Sequence, residues 1–175
     1  LNTDSTEVVW NQGKLEAGSE VWFRSDSLLP GLLKFRSSTR DFRVSIRNAV
    51  DEEVSLYMDS QSQSLLVDRI FSGNTSFEPE FANKKYYVPM DRLPEGEFEF
   101  RLWLDRSSIE VFIGDAVIST SLLVFPNEAF NQLVLSNSAL SEKGVIQDIQ
   151  LIKAPGKAAR GRVDATKASN KKTPH

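Results

Sequence analysis

The 175-residue sequence contains no cysteine and only one histidine, His175, at its last position. The lack of cysteine excludes disulfide bonds, thiolate metal sites and cysteine nucleophiles. A His-based metal cluster or a catalytic histidine would require a second chain, which excludes most hydrolase mechanisms built on a serine nucleophile. We therefore expect no metal site and no cofactor.

Long apolar runs are also lacking. No segment approaches the roughly 18 to 20 uninterrupted apolar residues of a membrane span, and residues 1–4 show neither the basic start nor the apolar stretch of a secretory leader. We expect no membrane partner. Because the chain begins with Leu1 instead of Met, we expect a processed or cut piece whose length fits one folded domain.

Charge is distributed unevenly along the chain. Residues 154–175 hold six basic side chains and one acidic side chain, a net charge of +5, so residues 1–153 carry −8. The basic segment is rich in Ala, Gly and Lys and has too few large apolar residues to form a core. We therefore predict a folded domain over residues 1–153 and a basic, low-complexity tail over residues 154–175. A solvated tail is favoured over one that binds anionic lipid or nucleic acid, so no nucleic-acid partner is expected.

Residues 1–153 contain about ten short segments in which apolar and polar side chains alternate. In residues 98–105, Phe98, Phe100 and Leu102 fall on one face, as in a half-buried strand. The other predicted strands are Thr6–Trp10, Glu20–Ser25, Leu32–Phe35, Asp41–Asn48, Val54–Met58, Ser64–Arg69, Ile109–Ile113, Val117–Val124, Gln132–Ser136 and Val145–Ile152. Gly114 and Asp115 predict a hairpin turn. Helical periodicity is confined to about one turn near Asn127–Phe130.

Strands with one apolar face and no helices between them must pack sheet against sheet. The sequence therefore predicts an all-β fold. We expect a two-layer antiparallel β-sandwich of the jelly-roll or concanavalin-like kind.

Three motifs carry a resemblance to a known family. Leu66–Gly73 reads LVDRIFSG, Trp103–Phe112 reads WLDRSSIEVF, and Leu123–Pro126 reads LVFP. Together with Phe77, they resemble the C-terminal β-sandwich of glycoside hydrolase family 32, which includes invertases, inulinases and levanases. The similarity covers roughly residues 22–153, and the second motif is the most specific.

The resemblance implies that catalysis belongs to a preceding five-bladed β-propeller. In that family an Asp nucleophile lies in a Trp-Met-Asn-Asp-Pro-like motif, a second Asp lies in Arg-Asp-Pro, and an acid/base Glu neighbours a Cys. Here Trp10-Asn11 continues with Gln12, Arg40-Asp41 continues with Phe42, and no Cys exists. The resemblance thus implies an accessory domain without catalytic residues, a propeller as partner, sucrose or fructan as substrate, and a secreted or vacuolar location.

Six residues of the first two motifs are candidates for contact with a sugar. Sugars are bound by aromatic faces together with charged groups that pair with hydroxyls. The candidates are Asp68, Arg69, Trp103, Asp105, Arg106 and Glu110. Further aromatic rings come from Trp10, Trp22, Tyr57, Tyr86 and Tyr87.

Two other interpretations of these residues stay open. Asp105 and Glu110 could form a carboxylate pair for catalysis. Alternatively, Asp68 with Arg69 and Asp105 with Arg106 form buried-edge ion pairs and cap backbone amides at strand corners, an interpretation that we favour over catalysis.

Interface or structural support is favoured over fructan contact as the role of this region, because Trp103 falls among strand residues that would press onto the propeller. An isolated chain should then expose an apolar patch or associate with itself as a homo-oligomer.

Asn74-Thr75-Ser76 matches the N-glycosylation sequon. The match has a physical meaning only in a secreted eukaryotic protein. Asn74 is therefore a candidate for glycan attachment.

Overall fold

The computed structural model describes residues 7–78, 80–153 and the backbone of residues 162–164. Within these residues the chain forms thirteen strands: β1 (Glu7–Leu15), β2 (Glu20–Arg24), β3 (Gly31–Ser37), β4 (Phe42–Arg47), β5 (Glu53–Asp59), β6 (Ser64–Asp68), β7 (Tyr86–Pro89), β8 (Phe98–Leu104), β9 (Ser108–Ile113), β10 (Ile118–Leu123), β11 (Gln132–Asn137), β12 (Ile146–Lys153) and β13 (Arg162–Asp164). The described part of the chain contains no helix.

The strands form two antiparallel sheets. The six-stranded sheet has the order β1-β12-β3-β8-β9-β10, and the seven-stranded sheet has the order β13-β2-β11-β4-β5-β6-β7. Inner side chains of both sheets merge into one apolar core. This arrangement confirms the predicted all-β antiparallel sandwich.

Aromatic side chains join the two sheets at the centre of the core. Phe35 of β3 and Phe100 of β8 are register partners, and their rings stack with centroids 4.8 Å apart. Phe42 of β4, in the opposite sheet, meets these rings edge-on at 5.2 Å and 5.4 Å. Edge-on and offset contacts of this kind are favourable beyond the area that they bury. The alternation in the sequence therefore places these three rings where the sheets pack.

Several local predictions need correction. The helical turn near Asn127–Phe130 does not form, because this segment bends between β10 and β11 while Asn131 N donates to Arg47 O at 2.9 Å. The first strand extends to Leu15 instead of ending at Trp10, and Thr6 lies outside the described residues. Strand β7 was not predicted, because its four residues are too short to show a period and three of them are exposed.

The hairpin between β9 and β10 is confirmed. Gly114, Asp115 and Ala116 have φ values of 59°, 52° and 62°, and Val117 N donates to Gly114 O at 3.0 Å. Left-handed backbone at successive positions is the conformation that Gly and Asp tolerate best. Ile113 and Ile118 are the register partners that close the hairpin.

Part of the predicted tail is a strand. Residues 162–164 pair antiparallel with β2 at the edge of the seven-stranded sheet. The other residues between 154 and 175 lie outside the described part of the chain. A folded domain that ends at residue 153 therefore stays a prediction.

Candidate functional site

Three sequence motifs meet at one end of the sandwich, which we call the motif end. This end carries the loops 25–30, 48–52, 69–85, 105–107 and 124–131. Segment 123–125 lies between the other two motifs. Leu123 O accepts from Arg69 Nη1 at 2.6 Å, Phe125 O accepts from Asn74 N at 2.8 Å, and Val124 N donates to Ser107 O at 3.0 Å. These hydrogen bonds therefore join the third motif to the first and second motifs.

Arg69 is buried beneath the motif end, with 6% of its surface exposed. Its guanidinium donates to Leu123 O, to Phe81 O at 2.7 Å and to the Tyr86 hydroxyl at 2.7 Å. It also lies 4.1 Å from the centre of the Phe81 ring. Charge-assisted hydrogen bonds to carbonyls stabilise such a buried cation, so Arg69 links β6, β7 and β10.

Asp68 points away from its neighbour in sequence. Its carboxylate lies 3.1 Å from Lys85 Nζ and accepts from Ile70 N at 3.1 Å. The predicted capping of a backbone amide is thus present. The predicted ion pair with Arg69 is wrong, because successive side chains at a strand end point in different directions.

The second corner contains the exposed residues Asp105 and Arg106. Asp105 Oδ1 accepts from the backbone N of Arg106 at 2.7 Å, and Asp105 N donates to Ser108 O at 2.9 Å. Over the residues that the structure describes, no ion pair joins Asp105 to Arg106. Here too the aspartate organises the turn through backbone amides.

Trp103 and Glu110 lie together on the outer face of the six-stranded sheet. They are direct register partners on β8 and β9, and Trp103 is 50% exposed. Directly opposed residues share a face and contact each other. The structure therefore brings Trp103, Glu110 and the Asp105–Arg106 corner to one surface, while Asp68 and Arg69 belong to the opposite sheet.

Among the other aromatic candidates, Trp10 is only 4% exposed and stacks on Phe23 inside the core at 5.9 Å. It therefore cannot offer a face to a sugar. Trp22 is partly buried, and the guanidinium groups of Arg24 and Arg47 lie 5.4 Å and 5.8 Å from its ring centre. Tyr57, Tyr86 and Tyr87 remain exposed on the seven-stranded sheet.

An aromatic cluster joins the loop after β6 to the loop after β10, and sequence reasoning missed it. Phe77, Phe81 and Phe125 have ring centroids 4.8 to 5.5 Å apart, and Phe77 is 57% exposed. Phe125 belongs to the third motif, but all three residues lie in irregular backbone, where no periodicity exists to indicate contact. The four-residue spacing of Phe77 and Phe81 is the single local hint.

Two further findings concern other kinds of site. Among residues 7–78 and 80–153, no group of three or more His, Cys, Asp or Glu side chains is arranged to hold a metal ion. No helix within the described ranges is long and apolar enough to cross a membrane.

The sequence matches a known domain family. The family described as "Glycosyl hydrolases family 32 C terminal" matches residues 3–153. The chain belongs to this family. The three motifs that meet at the motif end lie within the matched residues.

The chain is similar in sequence to a levanase and to an exo-inulinase. The family 32 domain is 30% identical over 98 residues to a levanase from Bacillus subtilis, covering 56% of this chain and 14% of that protein. It is 27% identical over 119 residues to an extracellular exo-inulinase from Aspergillus awamori, covering 67% and 22%. The chain thus spans about a seventh to a fifth of the length of these curated relatives.

Solved structures show the same fold. The exo-inulinase from Aspergillus awamori matches with a TM-score of 0.66 at 22% identity, over 85% of this chain and 29% of that chain. A β-fructofuranosidase from Schwanniomyces occidentalis matches with a TM-score of 0.64 at 14% identity, over 87% and 34%. The sandwich architecture is therefore retained at low identity.

Proposed function

We propose that this chain is the non-catalytic C-terminal sandwich of a β-fructofuranosidase-type glycoside hydrolase, and that it supports a catalytic propeller acting on sucrose or fructans. Family membership and the names of the relatives support this assignment. The supporting observation in the structure is an apolar stripe on the outer face of the six-stranded sheet.

The apolar stripe consists of side chains from four neighbouring strands. Val8 pairs with Ile152, Ile152 with Leu32, and Leu32 with Trp103. Val8 and Trp103 are each about half exposed, and Leu32 and Ile152 are partly exposed. A continuous apolar row on a sheet face that meets water is typical of a surface that binds another domain.

The position of the stripe agrees with a preceding domain. Each of its residues lies one position from the motif end, and β1 also enters the sandwich there, since Glu7 pairs with Lys153. A propeller that precedes β1 would approach the sandwich from the motif end, where Val8 and Trp103 lie. Tryptophan is among the residues that contribute most to interfaces.

The docking proposal is tested with the purified chain and the catalytic propeller of the same enzyme, produced separately. We expect the two to co-elute in size-exclusion chromatography. Trp103→Glu should weaken the complex by about 2 kcal/mol or more, roughly thirtyfold, because it places a charge in a desolvated centre. Leu140→Glu is the matched control, since Leu140 is fully exposed at the opposite end. Equal binding by both variants would refute docking through the stripe.

The non-catalytic assignment has its own test. The purified chain is incubated with sucrose, inulin and levan, and free fructose is measured. We expect no release, because a retaining glycosidase needs a matched pair of carboxyl groups and the motifs that carry this pair in the family are lacking from the sequence. Fructose release that persists after repeated purification would overturn this assignment.

A fructan-binding module is the second candidate function. Trp103 supports it, because its half-exposed ring lies beside Glu110 and near the Asp105–Arg106 corner. Titration of levan and inulin into the chain by calorimetry separates the two functions. Binding predicts saturable heat that is lost in Trp103→Ala and reduced in Arg106→Ala and Asp105→Ala, whereas structural support predicts no saturable heat.

A further inference from the structure

A cavity of about 330 Å³ lies between the two sheets where the edge strands β7 and β10 face each other. Its apolar wall includes Val67 and Leu122, and its polar wall includes Arg69, Tyr86 and Thr120. Small-molecule sites are concave and combine apolar walls with a few polar groups that orient the ligand. This cavity combines both kinds of wall and exposes slightly more polar than apolar surface, which suits a polar ligand.

Arg69 brings an uncompensated positive charge to the cavity. It is 94% buried, and over the residues that the structure describes no carboxylate lies within 4 Å of its guanidinium. Asp68, the nearest acidic residue in sequence, is engaged with Lys85 instead. The three groups that accept hydrogen bonds from Arg69 are two main-chain carbonyls and a hydroxyl, which are dipoles without net charge. A buried charge that has no counter-charge is costly.

The guanidinium also keeps unused donors. Of its five N–H groups, three are engaged by Leu123 O, Phe81 O and the Tyr86 hydroxyl. The other two are Nε, which is buried and has no hydrogen-bond partner, and the second N–H of Nη1. Because Nε has almost no accessible surface, the spare donor that remains for a ligand is the one on Nη1. An arginine that lines an open cavity and keeps a spare N–H is suited to an oxyanion.

We propose that this cavity binds a small ligand carrying a carboxylate or phosphate group, with Arg69 as its counter-charge. The Tyr86 and Thr120 hydroxyls supply further donors, and the cavity volume suits a ligand of monosaccharide size. The site is distinct from the apolar stripe and does not depend on the proposed docking or fructan contact.

Two anionic probes and one neutral probe test the site in the purified chain. Glucuronate and inorganic phosphate are titrated by NMR, and glucose is the uncharged match for glucuronate. We expect saturable shifts with glucuronate or phosphate and none with glucose, and affinity should fall as NaCl is added. The two anions distinguish a carboxylate site from a phosphate site.

Substitutions inside and outside the cavity test whether the anion binds there. Arg69→Met should abolish binding, whereas Arg92→Met, which removes an exposed arginine at the opposite end of the sandwich, should leave it unchanged. Because Arg69→Met also removes structural hydrogen bonds, Thr120→Phe serves as a second variant that fills the cavity without removing the charge. Its control is Ser119→Phe, the neighbouring residue on the outer face of the same strand.

We expect Thr120→Phe to weaken binding at least about tenfold and Ser119→Phe to leave it unchanged. Binding that survives Thr120→Phe, equal binding of glucose and glucuronate, or no binding of either anion by the folded wild-type chain would overturn the proposal. In the last case Arg69 is only a structural link between the sheets.

Discussion

Arg69 and Glu52 are the two charged side chains that are buried in the described part of the chain, and both lie at the motif end. Glu52 is 9% exposed, and its carboxylate accepts from Asn48 Nδ2 and from the backbone N and side chain of Asn127. Burial alone raises the pKa of Glu52, but these hydrogen bonds and one from the Glu128 backbone favour the charged form, so the pKa lies below 4.5. The charged Glu52 carboxylate is therefore stabilised by hydrogen bonds and not by a neighbouring cation.

The charge of Glu52 predicts a pH-dependent stability. A carboxyl whose folded pKa is lowered stabilises the fold above its unfolded pKa, and this stabilisation is lost as pH falls through the folded pKa. Glu52→Gln should therefore cost about 1.5 to 3 kcal/mol at pH 7. The difference from wild type should shrink as the pH falls below the ordinary carboxyl pKa of 4.5, measured by urea unfolding across pH. Glu142→Gln, at an exposed loop position, is the control, and a constant difference at all pH values would contradict this account.

Asn74 has the local geometry of an accessible sequon. Its side chain is exposed, and Asn74 Oδ1 accepts from Ser76 N at 3.2 Å and from Ser76 Oγ at 2.9 Å. Secretion from a yeast host should therefore add a glycan that an amidase removes, detected as a mass shift. Asn74→Gln should abolish the shift, whereas Asn137→Gln, at a buried asparagine outside any sequon, should not. An unchanged mass in wild type would rule out modification at Asn74.

At the scale of the structural elements, the conformation of the loop after β6 depends on Gly73. Gly73 has φ of 131°, and a Cβ there would lie 2.2 Å from Phe125 O and 2.5 Å from Pro126 Cα. Both are backbone atoms, which cannot move aside as a flexible side chain can. The close approach is what allows Asn74 N to donate to Phe125 O. The glycine of the first motif is therefore explained by its contact with the third motif.

Gly73→Ala should destabilise the chain by roughly 3 kcal/mol, because it combines an unfavourable φ with a backbone clash. Gly96→Ala is a matched control, since Gly96 also has a positive φ of 96° but has open space around it. Thermal unfolding of both variants separates the two causes. Equal losses of stability would show that the contact with Phe125 is unimportant.

For the whole molecule, the apolar stripe faces water when the chain is alone. The stripe and the exposed aromatic cluster both lie at the motif end, so one approaching surface could cover them. Two copies of the chain could cover the same groups. A C2 dimer places one patch against itself and is the commonest way to bury such a surface.

We therefore expect the isolated chain to associate with itself. Sedimentation velocity should show an average mass that rises with concentration, and Trp103→Glu should shift the chain toward monomer. Leu140→Glu should leave the distribution unchanged. A monodisperse wild-type monomer at every concentration would count against the stripe as a docking surface.

Strand periodicity was readable without the structure because one face of each strand meets the core. Phe98, Phe100 and Leu102 show this clearly, and all three are buried. Strand β7 could not be predicted because it is short and mostly exposed. The contacts of Arg69 could not be predicted either, because Phe81 lies within an irregular loop and Tyr86 follows that loop. Local patterns report which residues face the core, but not which distant segments meet.

The amino-acid sequence by itself determined the all-β class, the family and the lack of that family's catalytic motifs, because alternation and short motifs are local properties. Only the tertiary structure decided which of the candidate site residues are buried, paired or exposed. It buried Arg69, paired Asp68 with Lys85, and placed Trp103 in an apolar row with Leu32 and Ile152. The physical reason is that strand register and sheet packing bring together side chains that are far apart along the chain.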